Sequence, residues 1–189
     1  MQNILKLNRE NALSTGKAVG LATIGAAVIA ICAQPSFYLP GNPVPITLQV
    51  FAVVFCGLAF GPKVGALAVI EYLIAGFAGM PIFHGFGGGI KFLLGPTGGY
   101  LIGFIGMAYI TGYLARMNPR ANDKHRALAG FAGILVLYIA GAGWLRCWMM
   151  FTNTGFGGWA AWALGIAPFV GIDAVKVLLA VLASKKLIA

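Results

Sequence analysis

Residues 15–33 read TGKAVGLATIGAAVIAICA, an apolar run whose only charge, Lys17, stands near its start. A helix that crosses the hydrocarbon core of a bilayer needs ~20 such residues. Runs of the same kind recur at about 46–60, 63–79, 96–116, 127–149 and 159–183. They are separated by Gln34–Pro45, which carries Pro35, Pro40, Pro43 and Pro45, by the Gly61-Pro62-Lys63 break, by a glycine-rich stretch from Gly79 to Gly95, by the basic segment Arg116–Arg126, and by a glycine-rich loop containing Asn153. Prolines at the first of these densities end a helix and stiffen a loop. The expected architecture is all-α: a polytopic membrane protein of six transmembrane helices, forming one domain over residues 1–189. Composition agrees. Of 189 residues, 60% are apolar and 9% charged, against about 45–50% and about 25% in a soluble domain. A water-soluble globule of this size buries only about 70% of the surface of its unfolded chain. A soluble enzyme, a disordered chain and a disulfide scaffold are thereby excluded.

The formal charge is +9. In a soluble protein that would point to nucleic acid, but here no basic stripe interleaves with aromatics, so no nucleic-acid partner is expected. The basic residues sit between the apolar runs. With the N-terminus inside, ten of the thirteen (Lys6, Arg9, Lys17, Lys63, Arg116, Arg120, Lys124, Arg126, Lys185 and Lys186) fall on the inner side. Lys91 and Arg146 fall toward the outside, and Lys176 lies within the last run. The positive-inside rule then sets both termini in the cytoplasm, and anionic membrane lipid adds attraction. Lys6, Arg9 and Lys17 before an apolar run resemble a signal peptide, but further spans follow, so the run is expected to remain as the first helix. The outer loops, 34–45, 80–95 and 150–158, are rich in Gly, Pro and aromatics and nearly uncharged. Such loops can pack as a lid, which places a candidate site toward the outer face.

Charges inside a span cost ~2.5–3.5 kcal/mol on insertion scales and mark functional candidates. Asp173 and Lys176 stand three apart on one helical face. They read either as a pair neutralising itself inside the bundle or as contacts for a polar ligand, and both can hold together. Glu71 reads as a structural hydrogen bond to a neighbouring helix or as a coupling group. Arg146, near an outer end, can snorkel or meet an anion. The string Gly95-Pro96-Thr97-Gly98-Gly99-Tyr100 opens the fourth run, with Pro suited to a first helical turn. It reads as a tight turn with close packing or as a helix start meeting a polar group. Ala18, Ala22, Ala26 and Ala30 form a small-residue stripe on the first run, suited to close helix approach, within the chain or to a partner. Cys32, Cys56 and Cys147 have no metal or disulfide spacing and read as small buried hydrophobes. No phosphate loop of the GxxxxGK[ST] form occurs, His84 and His125 have no ligand spacing, and no catalytic set is readable. The chain is therefore expected not to be an enzyme and to hold no metal or cofactor.

Pro43-Val44-Pro45-Ile46-Thr47-Leu48-Gln49, Gly79-Met80-Pro81-Ile82-Phe83 leading into Gly87-Gly88-Gly89, and Leu94-Gly95-Pro96-Thr97-Gly98-Gly99-Tyr100-Leu101-Ile102-Gly103-Phe104 resemble the BioY family. These are biotin-specific substrate-binding (S) subunits of energy-coupling factor (ECF) transporters. Tyr138, Gly141 and Trp144, then Pro168-Phe169, Gly171, Asp173 and Lys176, continue the resemblance over nearly the whole chain. It implies a six-helix protein of the prokaryotic cytoplasmic membrane that binds biotin near the outer face. It also implies docking on a transmembrane coupling (T) subunit driven by two ATPase subunits, with Ala22, Ala26 and Ala30 as the docking stripe. Biotin presents two ureido N–H donors and a carbonyl, an apolar sulfur ring and a valerate carboxylate. Asp173 is then the acceptor for the N–H groups and Lys176 a donor to the carbonyl or the carboxylate. Trp144, Tyr138 and Phe83 are expected as walls, and Thr47 and Gln49 as lid hydrogen bonds. The alternatives are a stand-alone biotin or dethiobiotin secondary carrier, and a substrate-free membrane adaptor.

Overall fold

Sequences this apolar fold by close helix contact, since lipid offers no hydrophobic drive between helices. The computed structural model describes residues 15–118, 122–153 and 159–188, with side chains described up to Lys185. Lys6, Arg9, Arg120, loop residues 154–158 and the side chain of Lys186 lie outside the described residues. The elements in chain order are α1 (Thr15–Ala33), β1 (Ser36–Phe37), β2 (Ile46–Thr47), α2 (Gln49–Phe60), α3 (Pro62–Phe77), a 3-10 turn (His84–Phe86), α4 (Lys91–Leu94), α5 (Gly98–Met117), α6 (Asp123–Phe151), α7 (Ala160–Gly165) and α8 (Val170–Ile188). Among the described residues, four segments are long and apolar enough to cross a membrane: α1, α5, α6, and Ala160–Lys185 taken together.

The short helix α2 occupies the middle of the bundle, against α1, α3, α5 and α8, while α5 and α6 form the most extensive pair. Small residues set these distances. A Cβ on Gly57 of α2 would stand 2.7 Å from the Ala108 carbonyl oxygen of α5, and one on Gly112 would stand 2.7 Å from the Gly57 oxygen. The two glycines face each other, so the backbones approach to near contact. At the α5–α6 seam a Cβ on Gly99 would meet the Ala140 carbonyl oxygen at 2.5 Å.

Several boundaries move. The run expected to begin at 46 becomes helical only at Gln49, because Ile46 and Thr47 pair with Phe37 and Ser36 as a two-residue antiparallel ladder. The run expected over 159–183 is broken. Phe169 N–H bonds back to the Ile166 carbonyl, and α8 restarts at Val170. Pro168 lies in the break, where its ring disfavours helix in the preceding residue. The fifth run is longer than expected: α6 begins at Asp123, where the Asn122 side chain accepts from the His125 N–H at 3.0 Å. Cys56 is buried, but Cys147 is exposed on α6 rather than packed inside. Glu71 of α3 accepts a hydrogen bond from the Thr23 hydroxyl of α1 at 2.9 Å, the interhelical bond that one of its two readings describes.

Buried positions on α1 are Ala22, Gly25, Ile29 and Ala33. A four-residue repeat drifts by about 40° per step round a helix of 3.6 residues per turn. The alanine stripe therefore leaves the inward face as it climbs. Ala22 is fully covered by the chain's own helices, while Ala26 and Ala30 are half-buried.

Candidate ligand-binding site

The starts of α2, α5 and α8, the distal half of α6 and the loops 34–48 and 78–97 meet at one end of the bundle. The basic residues Lys63, Arg116, Lys124 and Lys185 belong to the opposite end, where Lys185 pairs with Asp123. Side chains stitch the two loops in place. The Gln34 amide donates to the Ala30 carbonyl at 2.9 Å and the Ile82 carbonyl at 3.1 Å, and its oxygen accepts from the Phe86 N–H at 3.0 Å. Asn42 donates to the Leu164 carbonyl at 2.8 Å while its oxygen accepts from the Val44 N–H at 2.9 Å. The buried Asn42 thus ties the proline loop to α7.

Beneath these loops lies a cavity of about 50 Å³. Tyr100, Leu101 and Phe104 of α5, Leu137 of α6, Phe169 and Val50 give it apolar walls. Its polar edge is a connected group. Asp173 accepts from the Tyr138 hydroxyl at 2.9 Å through one oxygen and from the Lys176 ammonium at 2.8 Å through the other. Asp173 is 2% exposed and Lys176 4%, so the pair is desolvated and must satisfy itself internally. It does so with capacity to spare: a carboxylate offers about four lone-pair sites and an ammonium three donors, and each group commits only part of its set here. An apolar slot closed by a free acceptor edge and a free donor suits a small ring that carries N–H groups beside a carbonyl.

Five of the expected site residues line this cavity: Thr47, Gln49, Tyr138, Asp173 and Lys176. Gln49 is also held by donating to the Tyr72 hydroxyl at 2.9 Å. Phe83 and Trp144 stand elsewhere. Phe83 is fully buried behind the wall, among Tyr72, Phe77 and Phe92 at ring-centroid distances of 5.2–5.4 Å. Trp144 is 36% exposed and its indole N–H donates to the Gly95 carbonyl at 2.8 Å. Trp144 braces the loop that leads into α5. Trp144→Phe is therefore expected to cost about 1 kcal/mol of thermal stability, the typical value of one hydrogen bond, and to leave ligand affinity within about twofold; a tenfold loss in a titration would put the indole in contact with the ligand. Arg146 is exposed and lines no part of the cavity.

Sequence reasoning missed Tyr100, Phe104, Phe169, Thr97 and His84 as lining residues. Tyr100 donates to the Gly165 carbonyl at 2.8 Å and so fixes α5 to the end of α7. His84 holds a buried Nε2 without a hydrogen-bond partner, and its Nδ1 lies 3.5 Å from the Tyr38 hydroxyl. Burial pushes the His84 imidazole below its usual pKa, so the ring is neutral near pH 7.

The chain matches the BioY family over residues 7–189. It belongs to that family. Within it, the chain is 39% identical over 171 residues to the probable biotin transporter BioY of Pyrococcus horikoshii, covering 90% of this chain and 96% of that one. It is 37% identical over 149 residues to the biotin transporter BioY of Thermotoga maritima, covering 79% and 83%. Its fold superposes with a TM-score of 0.81 on a crystal structure of the S-component for biotin from an ECF-type ABC transporter, at 24% identity, over 93% of this chain and 94% of that one. This BioY-family chain is a multi-pass membrane protein, and its relatives are transporters rather than enzymes.

Proposed function

We propose that this chain captures biotin and serves its uptake as the S subunit of an ECF-type transporter, in a prokaryotic cytoplasmic membrane. The Tyr138–Asp173–Lys176 group under the ordered loops carries the reading. The spare acceptor sites of Asp173 take the two ureido N–H groups, and the free donors of Lys176 take the ureido oxygen. Tyr100, Phe104 and Phe169 enclose the apolar sulfur ring. Thr47 and Gln49 close the lid edge, and Phe83 and Trp144 hold the walls from behind. Biotin is the transported substrate, and no cofactor is indicated. ATP is hydrolysed by two partner ATPases through a coupling subunit, which meets the stripe of Ala22, Ala26 and Ala30 at the part of α1 that keeps surface. Residues 1–189 form one domain of six spans, with α2 and α3 as the second and third. Both termini are cytoplasmic, as the clustering of Lys and Arg at the end away from the cavity supports.

Nanomolar capture requires about −12 kcal/mol. Over roughly 16 heavy atoms that is about −0.75 kcal/mol per atom, inside the range open to small ligands if enclosure is nearly complete. The test is titration of the detergent-purified chain with biotin, thiamine and riboflavin, read by heat or tryptophan fluorescence. Selective nanomolar binding of biotin is expected. Absence of biotin binding by folded protein would return the Asp173–Lys176 pair to a purely structural role.

A further inference from the structure

The cavity does not end the space beneath the loops. A second, more open chamber of about 290 Å³ adjoins it, and His84 and Thr97 line both. The inner cavity, at about 50 Å³, has room for about four waters at the ~10–15 Å³ each requires. A ligand of biotin's size reaches beyond it, and the chamber past His84 is where it emerges. Building on the proposed biotin-binding role, we infer that this outer chamber is an anion subsite in which Lys91 receives the ligand carboxylate.

Lys91 is the only Lys or Arg among the residues that line the chamber. Its ammonium stands 5.8 Å from the ring centroid of Phe92, which also lines the chamber. No carboxylate partners it among the described residues: Asp173 holds Lys176, Asp123 holds Lys185, and Glu71 holds Thr23. The other candidate cations are placed elsewhere. Lys176 is bound to Asp173 at the inner end, Arg146 lines neither space, and His84 is a neutral ring. The unpartnered Nε2 of His84 sits in the wall common to both spaces, where a passing ligand can satisfy a polar atom that the chain leaves unbonded. With the ureido ring against Asp173, the acid end of biotin points into the chamber that holds an uncommitted cation.

The experiment compares biotin with biotinamide, in which the carboxylate is replaced by a neutral amide, on the intact chain and on Lys91→Gln. Lys91 is exposed, so this substitution leaves folding intact. For the unaltered chain, the amide is expected to bind about two- to fivefold more weakly than the acid, the size of a solvent-exposed ion pair. Lys91→Gln should weaken biotin by the same factor and leave the amide unchanged, and added salt should narrow the gap. Unchanged biotin affinity in Lys91→Gln, or equal loss for acid and amide, overturns the subsite. If the unaltered chain binds neither compound, the biotin-binding role itself falls and the subsite falls with it; binding of both equally well removes the subsite alone.

Discussion

Asp173→Ala should weaken biotin at least tenfold and destabilise the protein by about 3–5 kcal/mol. The affinity loss follows from removing hydrogen bonds to a charged acceptor, at ~1.5–3 kcal/mol each. The stability loss follows from the Lys176 ammonium, 4% exposed, which would be left buried without its counter-charge. The two losses separate in a second variant. Asp173→Leu combined with Lys176→Met replaces a buried ion pair by apolar groups of similar size, which is often neutral or stabilising. The double variant should therefore recover most of the thermal stability lost by Asp173→Ala while binding no biotin. Titration and thermal unfolding in detergent read both effects. Retained affinity in Asp173→Ala would remove the carboxylate from ligand recognition. A double variant no more stable than the single one would show that the buried cation is not the source of the instability.

Ala26→Leu should leave biotin binding intact and reduce uptake to background in cells that carry the full transporter. Its half-buried position on α1 keeps surface on which a larger side chain can hold a partner helix away. Ala22→Leu should behave differently. Ala22 is fully covered, so the added methyl groups press into the chain's own packing, at a typical cost of about 1–3 kcal/mol. The pair is read by uptake of labelled biotin beside a binding titration of the same purified variants. Normal uptake by Ala26→Leu would remove the stripe from docking. A loss of binding equal to the loss of uptake would assign the stripe to folding.

The end of the first helix at Ala33 was legible to the residue, because the apolar run stops at Gln34 before a dense set of prolines. The Asp173–Lys176 contact was legible from spacing alone, since three residues along a helix bring side chains together. The ladder of Ser36–Phe37 with Ile46–Thr47 was not, because two-residue strands are too short to show alternation. The break before α8 had a signal in Pro168, but the apolar run continues across it and hides the restart. The cavity walls were the least legible part. Whether Trp144 or Tyr138 faces inward depends on how α6 rotates against α5, and that is set by contacts such as Gly99 against Ala140, which spacing within one helix does not reveal. His84 carries no local pattern in the sequence, since the two histidines lack metal spacing; its place in the cavity wall arises from a loop that wraps back over the bundle.

The helices are markedly unequal. At 1.5 Å rise per residue, α6 with its 29 residues is about 43 Å long, and α2 with its 12 is about 18 Å. A hydrocarbon core is ~30 Å thick. With α2 as a span, the helix that fills the middle of the bundle is about 12 Å shorter than the core it crosses. The proline loop that precedes α2 then lies within the depth of the acyl chains. Irregular backbone at that depth is tolerated only where protein covers it or where it faces a cavity, and the β1–β2 ladder and Asn42 supply that cover. Lipid chain length thereby becomes a variable of this protein: a thicker bilayer raises hydrocarbon further around the longer helices that surround α2, and the lid over the cavity is anchored between them.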